Sequence, residues 1–420
     1  MTEKLFYQDS HLCEFTATVS ECVSDGGRYQ IVLDRTAFFP EGGGQYADTG
    51  SLEELPASAP ENASADNARQ SAVEKTAHSM NAPKSAQRIR VLDVQESEGK
   101  IRHITDRPAE EGSIVSGFID WKGRFMKMQQ HTGEHIVSGL VHRRFGYDNV
   151  GFHLGSVDCT MDFNGEITKE ELREIEHEAN EAVAENLEIR VSYPSKEEIR
   201  ALSYRSKIEI EGQIRIVTIL GYDVCACCAP HVTRTGEIGM IKLTSVQRYK
   251  GGVRVTMLCG FRALDDYERK LSSVKRICAA LCAKEDEVSE AVDHLKEECA
   301  QLKQRLAEQQ KKMLQYKAQE ADGQGNVACL FEPELEGEAT RILMNLVLDR
   351  GHELCAVFYG SEQDGYRYVV GSKSLDMRKL SREMNAAFSG RGGGKTEMAQ
   401  GVLKGNEEEL KQWLQEKGIS

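Results

Sequence analysis

A long heptad pattern runs through the second half of this chain. From Leu264 to Met313, apolar side chains recur at the a and d positions of successive heptads, and only Glu285 and Gln309 break the series. A narrow seam sustained at this spacing predicts long helices, and the polar AKEDE segment around Glu285 predicts a turn between two of them. An intramolecular hairpin or a dimer-forming spacer would each explain the seam, and both stay open.

Composition indicates an ordinary multidomain protein of 420 residues, 40% of them hydrophobic and 29% charged. There is no export signal and no apolar run near the ~18 residues of a membrane span. We therefore expect a cytoplasmic protein whose twelve cysteines are reduced. The net charge of −14 argues against a general nucleic-acid coat protein, although it leaves room for a local basic surface.

The first 120 residues alternate apolar and polar side chains in short runs, which predicts a small β-barrel domain, 1–120. Residues 56–87 interrupt this pattern. More than half of them are Ala, Ser or Asn, and their only larger apolar side chains are Val73 and Met80. Such a segment cannot bury enough surface to offset its ordering entropy, so we expect a mobile insert between two strands.

The remaining segments complete an α+β, multidomain fold class. We expect an α+β domain over 121–262, with helices near 127–145 and 168–185. Strands should follow near 188–193, 207–213, 215–219, 239–246 and 252–259. The helical, coiled-coil-like spacer should cover 263–322, and a compact α/β domain should cover 327–420, with strands at ACLFE, LCAVFYG and YRYVVGS.

Two distant segments carry metal-binding chemistry. His131 and His135 are four residues apart in a predicted helix, so both imidazoles lie on one face. Cys225-Ala-Cys227-Cys228-Ala-Pro-His231 ends in a Cys-x3-His turn that can present a thiolate and an imidazole to the same ion. Three nitrogens and one sulfur suit Zn²⁺ and argue against hard cations. We expect one zinc ion per chain, held by His131, His135, His231 and, among three candidate cysteines, Cys227.

Two other interpretations remain possible for these residues. The cysteines could be small buried side chains with no ligand role. The string HTGEH also fits the inverted zinc-peptidase pattern H-x-x-E-H, in which Glu134 would be the general base. A peptidase would need a distal carboxylate ligand, whereas the evident distal partners are cysteine and histidine. A zinc peptidase is therefore the alternative function, and a non-catalytic binding or assembly module is another.

Three segments in order, FFPEGGGQYADTG, HTGEH and CCAPHVTRTGEIG, resemble the editing domain of alanyl-tRNA synthetases and the free-standing AlaX-type proteins. A fourth segment, GRGGGKTEMAQG, resembles the glycine-rich part of the DHH-associated domain that ends the long AlaX type. The usual Cys-Gly-Gly-Thr-His turn is Cys-Cys-Ala-Pro-His here, which keeps the ligand spacing without the glycines. The barrel begins within the first residues, so we expect no synthetase core upstream and a stand-alone editing factor.

The resemblance implies an aminoacyl-tRNA deacylase that hydrolyses tRNA(Ala) mischarged with serine or glycine. It places Thr36 near the amino-acid side chain, Gln45 near the ester or ribose, and a histidine such as His153 near the pocket. The residues proposed to contact substrate are Gly42, Gly43, Gly44, His153, Arg391 and Lys395. From spacing alone, glycines 42–44 would also fit a plain barrel corner.

The resemblance implies that the tail contacts the tRNA elbow or a second copy of the chain, and a non-catalytic tRNA-binding or assembly module would retain it as well. Its GRGGGK segment could approach phosphates as a loop, or it could be a tight turn that caps the domain. It lacks the spacing of a nucleotide P-loop. We therefore expect an ATP-independent protein that has tRNA(Ala) as its partner, no membrane association and a possible homodimer.

Overall fold

The computed structural model describes residues 1–56, 88–155, 158–206 and 213–417. Nearly all of the expected insert 56–87 and of the expected strand 207–213 lies outside these residues. The chain separates into two compact units, Met1–Ser273 and Val274–Ser420. The finer division into four segments stays a prediction.

The first unit begins with a closed six-stranded barrel, which confirms the fold expected from the alternating pattern. The barrel strands are β2 (Glu14–Asp25), β3 (Arg28–Leu33), β5 (Gly50–Glu54), β6 (Ile89–Ser97), β7 (Lys100–Thr105) and β8 (Ile114–Ile119). Their order around the barrel is β2-β3-β7-β6-β5-β8. Along β7 every second side chain is buried, as the period of two requires. The short strands β1 (Glu3–Lys4) and β4 (Arg35–Thr36) pair in parallel beside it.

The helix α1 (Trp121–Phe145) follows the barrel and begins six residues earlier than expected. Asp120 caps its N-terminus by accepting a hydrogen bond from the Gly123 amide, and Gly146 ends it in the left-handed conformation. Most of its length is buried, because barrel and sheet residues cover it from several sides. A helix buried on most faces shows little amphipathic pattern, which explains why its first turns were missed.

Two sheets and further helices complete the first unit. The capping box of Thr168 and Glu171 begins α2 as the sequence indicated. The sheet orders are β14-β15-β10-β9 and β11-β12-β13. The elements are β9 (Asn149–Leu154), β10 (Cys159–Phe163), α2 (Lys169–Glu185), β11 (Ile189–Ser192), α3 (Lys196–Ala201), β12 (Ile216–Ile219), β13 (Asp223–Ala226), β14 (Ile241–Tyr249) and β15 (Gly252–Cys259).

The heptad segment forms two helices, α4 (Gly260–Leu281) and α5 (Val288–Glu320), with a short 3-10 turn at Glu285–Glu287 between them. The expected turn is confirmed. Within α5 the seam residues Leu295, Leu302 and Leu306 are 44%, 54% and 60% exposed. An intramolecular hairpin that buries the α5 seam is therefore not observed among the described residues.

The second unit ends in a five-stranded sheet with the order β16-β17-β18-β20-β19. The three strands expected from the sequence are confirmed. The elements are β16 (Val327–Phe331), α6 (Glu338–Asp349), β17 (Leu354–Ser361), β18 (Gly365–Ser372), α7 (Met377–Ala387), β19 (Arg391–Gly394), β20 (Met398–Leu403) and α8 (Glu407–Lys417). Among the described residues, no helix has the length and apolar character that crossing a membrane requires.

The expectation of a loop or tight turn at GRGGGK is wrong for its first residues. Arg391–Gly394 is an edge strand that pairs antiparallel with residues 399–402. A Cβ on Gly392 would lie 2.5 Å from the Gly401 Cα and 2.4 Å from the Gln400 carbonyl oxygen. The glycines therefore allow two strands to approach closely, a requirement that composition does not reveal.

Candidate metal centre

Four side chains from two distant segments meet beside α1. His131 and His135 occupy successive turns of one face of that helix, and Cys227 and His231 come from the loop after β13. The imidazoles are 1%, 2% and 3% exposed for His131, His135 and His231. Their candidate ligand atoms all lie within 4.8 Å of one another, so this group could hold a metal ion.

The thiol of Cys227 lies at the centre of this arrangement. Its Sγ is 3.4 Å from the Nε2 of His131 and 3.4 Å from the Nε2 of His231. In a tetrahedral site with ordinary zinc bond lengths, neighbouring nitrogen and sulfur ligands are about 3.6 Å apart. The spacing of these atoms therefore fits one ion bound between them.

Each imidazole is fixed through its other nitrogen. The Nδ1 of His131 lies 3.2 Å from the Gln45 Oε1, and that of His135 lies 2.8 Å from an Asp223 oxygen. The Nδ1 of His231 lies 3.1 Å from the Thr132 hydroxyl. Because an amide oxygen and a carboxylate only accept, His131 and His135 donate through Nδ1 and leave Nε2 available as a ligand.

The electrostatics favour the ligand forms of two members of this group. Burial alone would raise the pKa of the Cys227 thiol, but His131 and His231 hold that pKa well below its ordinary value. Burial lowers the pKa of His231 to about 3, against weaker opposing effects of Cys227. A thiolate beside a neutral imidazole is the combination that binds a metal.

Asp223 links His135 to a cation. Its carboxylate accepts two hydrogen bonds from Arg205, at 2.7 and 2.9 Å, besides the one from His135. Burial would raise the pKa of this carboxyl, but His135 and Arg205 hold it below the usual range. The carboxylate therefore stays charged and orients the imidazole.

The other two cysteines lie apart from the thiol at the centre. Cys225 is buried in a second group with His135 and Asp223, and its thiol faces the carbonyl of Ala226. Cys228 lies instead against residues 42–44, the glycine loop, where a Cβ on Gly43 would be 3.2 Å from its Sγ. Of the three candidates, only Cys227 groups with all three histidines.

The glycine loop lies directly against this centre. Gly43 and Gly44 have φ angles of +60° and +80°, which favour glycine, and a Cβ on Gly44 would lie 2.7 Å from the Phe152 ring. The side chain of Gln45 is fully buried, and its Nε2 has no hydrogen-bond partner among the described residues. A buried amide nitrogen beside His131 can donate to a ligand.

Sequence reasoning missed the ion cluster that fastens this loop to α1. Asp48 is buried with Arg124 and Lys127, which pair with its two oxygens. Asp48 also accepts from the Phe39 amide at 2.8 Å. Burial would raise the pKa of Asp48, but Arg124 and Lys127 hold it below the usual range. Lys127 precedes His131 by one helical turn, so the sequence did indicate that the two side chains share a face of α1.

Glu134 is buried beside the candidate ligands. Its Oε1 accepts hydrogen bonds of 2.7 Å from both Ser138 and Asn149. Its other oxygen is 4.0 Å from the Nε2 of His135. These contacts make it a structural carboxylate next to a candidate ligand histidine.

Thr36 does not belong to the metal-ligand group. It is fully buried, and its Oγ1 lies 2.8 Å from the Nε2 of His103 and accepts from the Phe38 amide at 3.1 Å. The Nδ1 of His103 donates to the Ile31 carbonyl at 3.0 Å, so Nε2 is the accepting nitrogen and Thr36 donates to it.

The remaining candidates are exposed. His153 lies on β9 with an exposed side chain, and β9 also carries Phe152, whose ring packs 4.9 Å from that of His131. Arg391 and Lys395 are exposed at the edge strand β19 and just after it. The structure thus brings Gln45 and the glycine loop to the centre, places His153 on the adjoining strand, and puts Arg391 and Lys395 in the second unit.

Comparisons with known proteins bear on the same segments. Residues 214–256 match the threonyl and alanyl tRNA synthetase second additional domain, and residues 324–417 match the DHHA1 domain. The alanyl-tRNA editing protein AlaX-L of Pyrococcus horikoshii is 27% identical, over 98% of this chain and 96% of that protein. The alanyl-tRNA editing protein Aarsd1 of Rattus norvegicus is 26% identical, over 94% and 93%.

An alanine–tRNA ligase of Ignicoccus hospitalis is 30% identical over 97% of this chain, which spans only 42% of the ligase. The two domain matches and the two editing proteins confirm the resemblance that the sequence motifs indicated. The chain carries the second additional domain of threonyl and alanyl tRNA synthetases together with a DHHA1 domain, and it resembles the alanyl-tRNA editing proteins over nearly its whole length.

Proposed function

We propose that this protein is a trans-editing hydrolase that removes serine or glycine from mischarged tRNA(Ala). The observation that carries the proposal is the convergence of three imidazoles on the Cys227 thiol, with the unpartnered amide nitrogen of Gln45 beside them. The names of the editing proteins that it resembles support the same reaction. The bond to be cleaved is the ester between an amino acid and a ribose hydroxyl.

Zinc is the proposed ion, because three nitrogens and one thiolate suit it. When bound, it would supply Lewis-acid polarisation or orientation of the substrate. Gln45 holds His131 through its Oε1, and its amide N–H groups would donate to the ester carbonyl as negative charge develops there. The buried, preformed position of this donor avoids reorganisation during the reaction.

The zinc-peptidase alternative has weaker support. The four-residue ligand group contains no carboxylate, and Glu134 accepts hydrogen bonds from Ser138 and Asn149. A peptidase of the H-x-x-E-H pattern needs a distal carboxylate as a ligand, and this group supplies none. Glu134→Gln separates the two functions, since it should abolish a peptidase and leave ester hydrolysis measurable.

Hydrolysis of Ser-tRNA(Ala), Gly-tRNA(Ala) and correctly charged Ala-tRNA(Ala) by the purified chain tests the main proposal. We expect release of serine or glycine well above release of alanine, and loss of that activity after chelation with recovery on adding zinc. Equal release of all three amino acids would contradict an editing function. Full activity in the metal-free protein would contradict the role of zinc.

A homodimer formed through the α5 seam is also proposed. Leu295, Leu302 and Leu306 are largely exposed along one helical stripe, and a second copy of the helix would cover them. Replacing Leu295 and Leu302 with glutamine should halve the mass measured by light scattering. A monomeric parent protein would contradict the proposal.

Arg391 and Lys395 are proposed to contact the tRNA backbone, because both are exposed beside an edge strand with little side-chain bulk. Replacing both with glutamine should weaken tRNA binding and reduce its salt dependence by roughly two ion equivalents. An unchanged salt dependence would contradict this contact.

A further inference from the structure

The exposed tyrosine next to Gln45 has no role in the chemistry described so far. Tyr46 is 41% exposed, whereas Gln45 directly before it is fully buried. The boundary between the buried centre and solvent therefore falls between these two residues.

The ring of Tyr46 is held by two cations. The Lys127 Nζ lies 4.8 Å from the ring centroid and also donates to the Ala47 carbonyl at 2.7 Å and to Asp48 at 2.9 Å. The Tyr46 hydroxyl accepts a hydrogen bond from Arg262 at 3.1 Å. A side chain fixed at both its face and its hydroxyl loses little conformational entropy when a ligand packs on it.

The position of the ring relative to the metal centre follows from α1. Lys127 and His131 are four residues apart on the same face of this helix, about 6 Å along its axis. Tyr46 packs at Lys127, and Gln45 contacts His131. Two consecutive residues of the loop therefore contact side chains one helical turn apart on α1, Gln45 at the centre and Tyr46 beside it.

Arg262 ties this ring to the strand that carries His153. Its guanidinium donates to the Gly155 carbonyl at 3.0 Å as well as to Tyr46. A Cβ on Gly155 would lie 4.0 Å from the His153 Nε2. Arg262 therefore connects Tyr46 with the residue that follows β9.

We infer that Tyr46 is a stacking platform for the terminal adenine base of the aminoacyl-tRNA, which deepens the proposed function and rests on it. Every nucleobase has a π-face, and aromatic side chains bind unpaired bases by stacking. The ester then reaches Gln45 while the base stays at the solvent boundary. The platform explains how a single-stranded end is positioned without base-specific hydrogen bonds.

Binding of two hydrolysis-resistant probes to the zinc-loaded full chain tests this directly. One is the serine amide of 3′-amino-3′-deoxyadenosine, and the other is the same amide on the sugar without its base. Calorimetry should show that the parent binds the adenosine probe about ten- to a hundred-fold more tightly. Tyr46→Ala should lose this preference, whereas Tyr46→Phe should keep most of it because the ring remains.

Tyr249→Ala is the matched control, since Arg254 lies 3.8 Å from its ring at the turn between β14 and β15. Zinc content should be unchanged in all variants. In hydrolysis of Ser-tRNA(Ala), Tyr46→Ala should raise KM by a similar factor with little change in kcat.

A preference for the adenosine probe that survives in Tyr46→Ala, or its absence in the parent, would overturn the inference while leaving hydrolysis unaffected. A parent that fails to hydrolyse Ser-tRNA(Ala) yet shows a base preference that Tyr46→Ala removes would sink the proposed reaction. The stacking role of Tyr46 would be supported in that case.

Discussion

Two sets of buried histidines in the first unit use their ring nitrogens differently. In the barrel core, both nitrogens of His103 have protein partners, the Ile31 carbonyl and the Thr36 hydroxyl. Beside α1, His131, His135 and His231 have polar protein partners for Nδ1, while Nε2 of His131 and of His231 faces the Cys227 thiol. Burial is nearly equal in the two sets. The partner of the second nitrogen therefore distinguishes a structural histidine from a candidate ligand.

The largest effect should come from removing the ligand histidines. Under the zinc proposal, replacing His131 and His135 with alanine should reduce zinc from about one ion per chain to almost none and abolish hydrolysis, because two of the four proposed ligands are lost. Elemental analysis measures the first effect. His153→Ala is the control, since its exposed ring lies outside the ligand group, and unchanged zinc in the double variant would break the comparison.

The pH dependence of folding stability tests the histidine of the barrel core. Burial lowers the pKa of His103 to about 4, from an ordinary value of 6.5. Below pH 6.5 the unfolded chain binds a proton that the folded barrel does not, so the stability associated with neutral His103 is present above pH 6.5 and lost as pH falls towards 4. The loss should approach roughly 3 kcal/mol.

Urea unfolding of metal-free parent and His103→Gln proteins between pH 7 and pH 4 checks this. The stability difference between them should shrink by that amount as the pH falls. Placing both in a Trp413→Phe background restricts the fluorescence signal to Trp121 in the first unit. A difference that is constant with pH would show that His103 is not held neutral.

Thr36→Val tests the hydrogen bond between Thr36 and His103 by removing its donor. Valine keeps the shape but leaves the His103 Nε2 and the Phe38 amide without their partner, which should cost about 1–3 kcal/mol of stability. Under the editing proposal the variant should also slow hydrolysis of Ser-tRNA(Ala) more than that of Gly-tRNA(Ala) and raise the relative attack on Ala-tRNA(Ala).

Thr36→Ser retains the hydroxyl and should preserve both properties. If Thr36→Val loses stability but keeps its full serine-over-alanine ratio and normal zinc content, Thr36 is a barrel residue only. Because the Thr36 proton is already donated to His103, any contact with a serine hydroxyl would use Thr36 as the acceptor.

The smallest effect should come from Asp223, the hydrogen-bond partner of the proposed ligand His135. Asp223→Asn keeps the shape but weakens the hydrogen bond that orients His135 and the pairing with Arg205. Zinc affinity, measured by competition with a chelator, should fall by roughly tenfold, the lower end for such partners. An unchanged affinity would mean that the position of His135 is set by helix packing alone.

The sequence by itself determined the features that depend on local spacing. Alternation along strands gave the barrel, the capping box gave the start of α2, and the heptads gave two helices with a turn near Glu285. Histidines four residues apart had to share a face of α1, and Cys-x3-His had to form one turn. These results rest on the fixed periods of helices and strands, which neighbouring residues already express.

Only the tertiary structure decided which groups meet across the chain. It grouped Cys227 with the three histidines, turned the Thr36 hydroxyl towards His103, and buried Asp48 between Arg124 and Lys127. It also made Arg391–Gly394 an edge strand, because two glycines let neighbouring strands approach. Each outcome depends on a partner distant in sequence, so the packing of separate elements fixes it and no local period can.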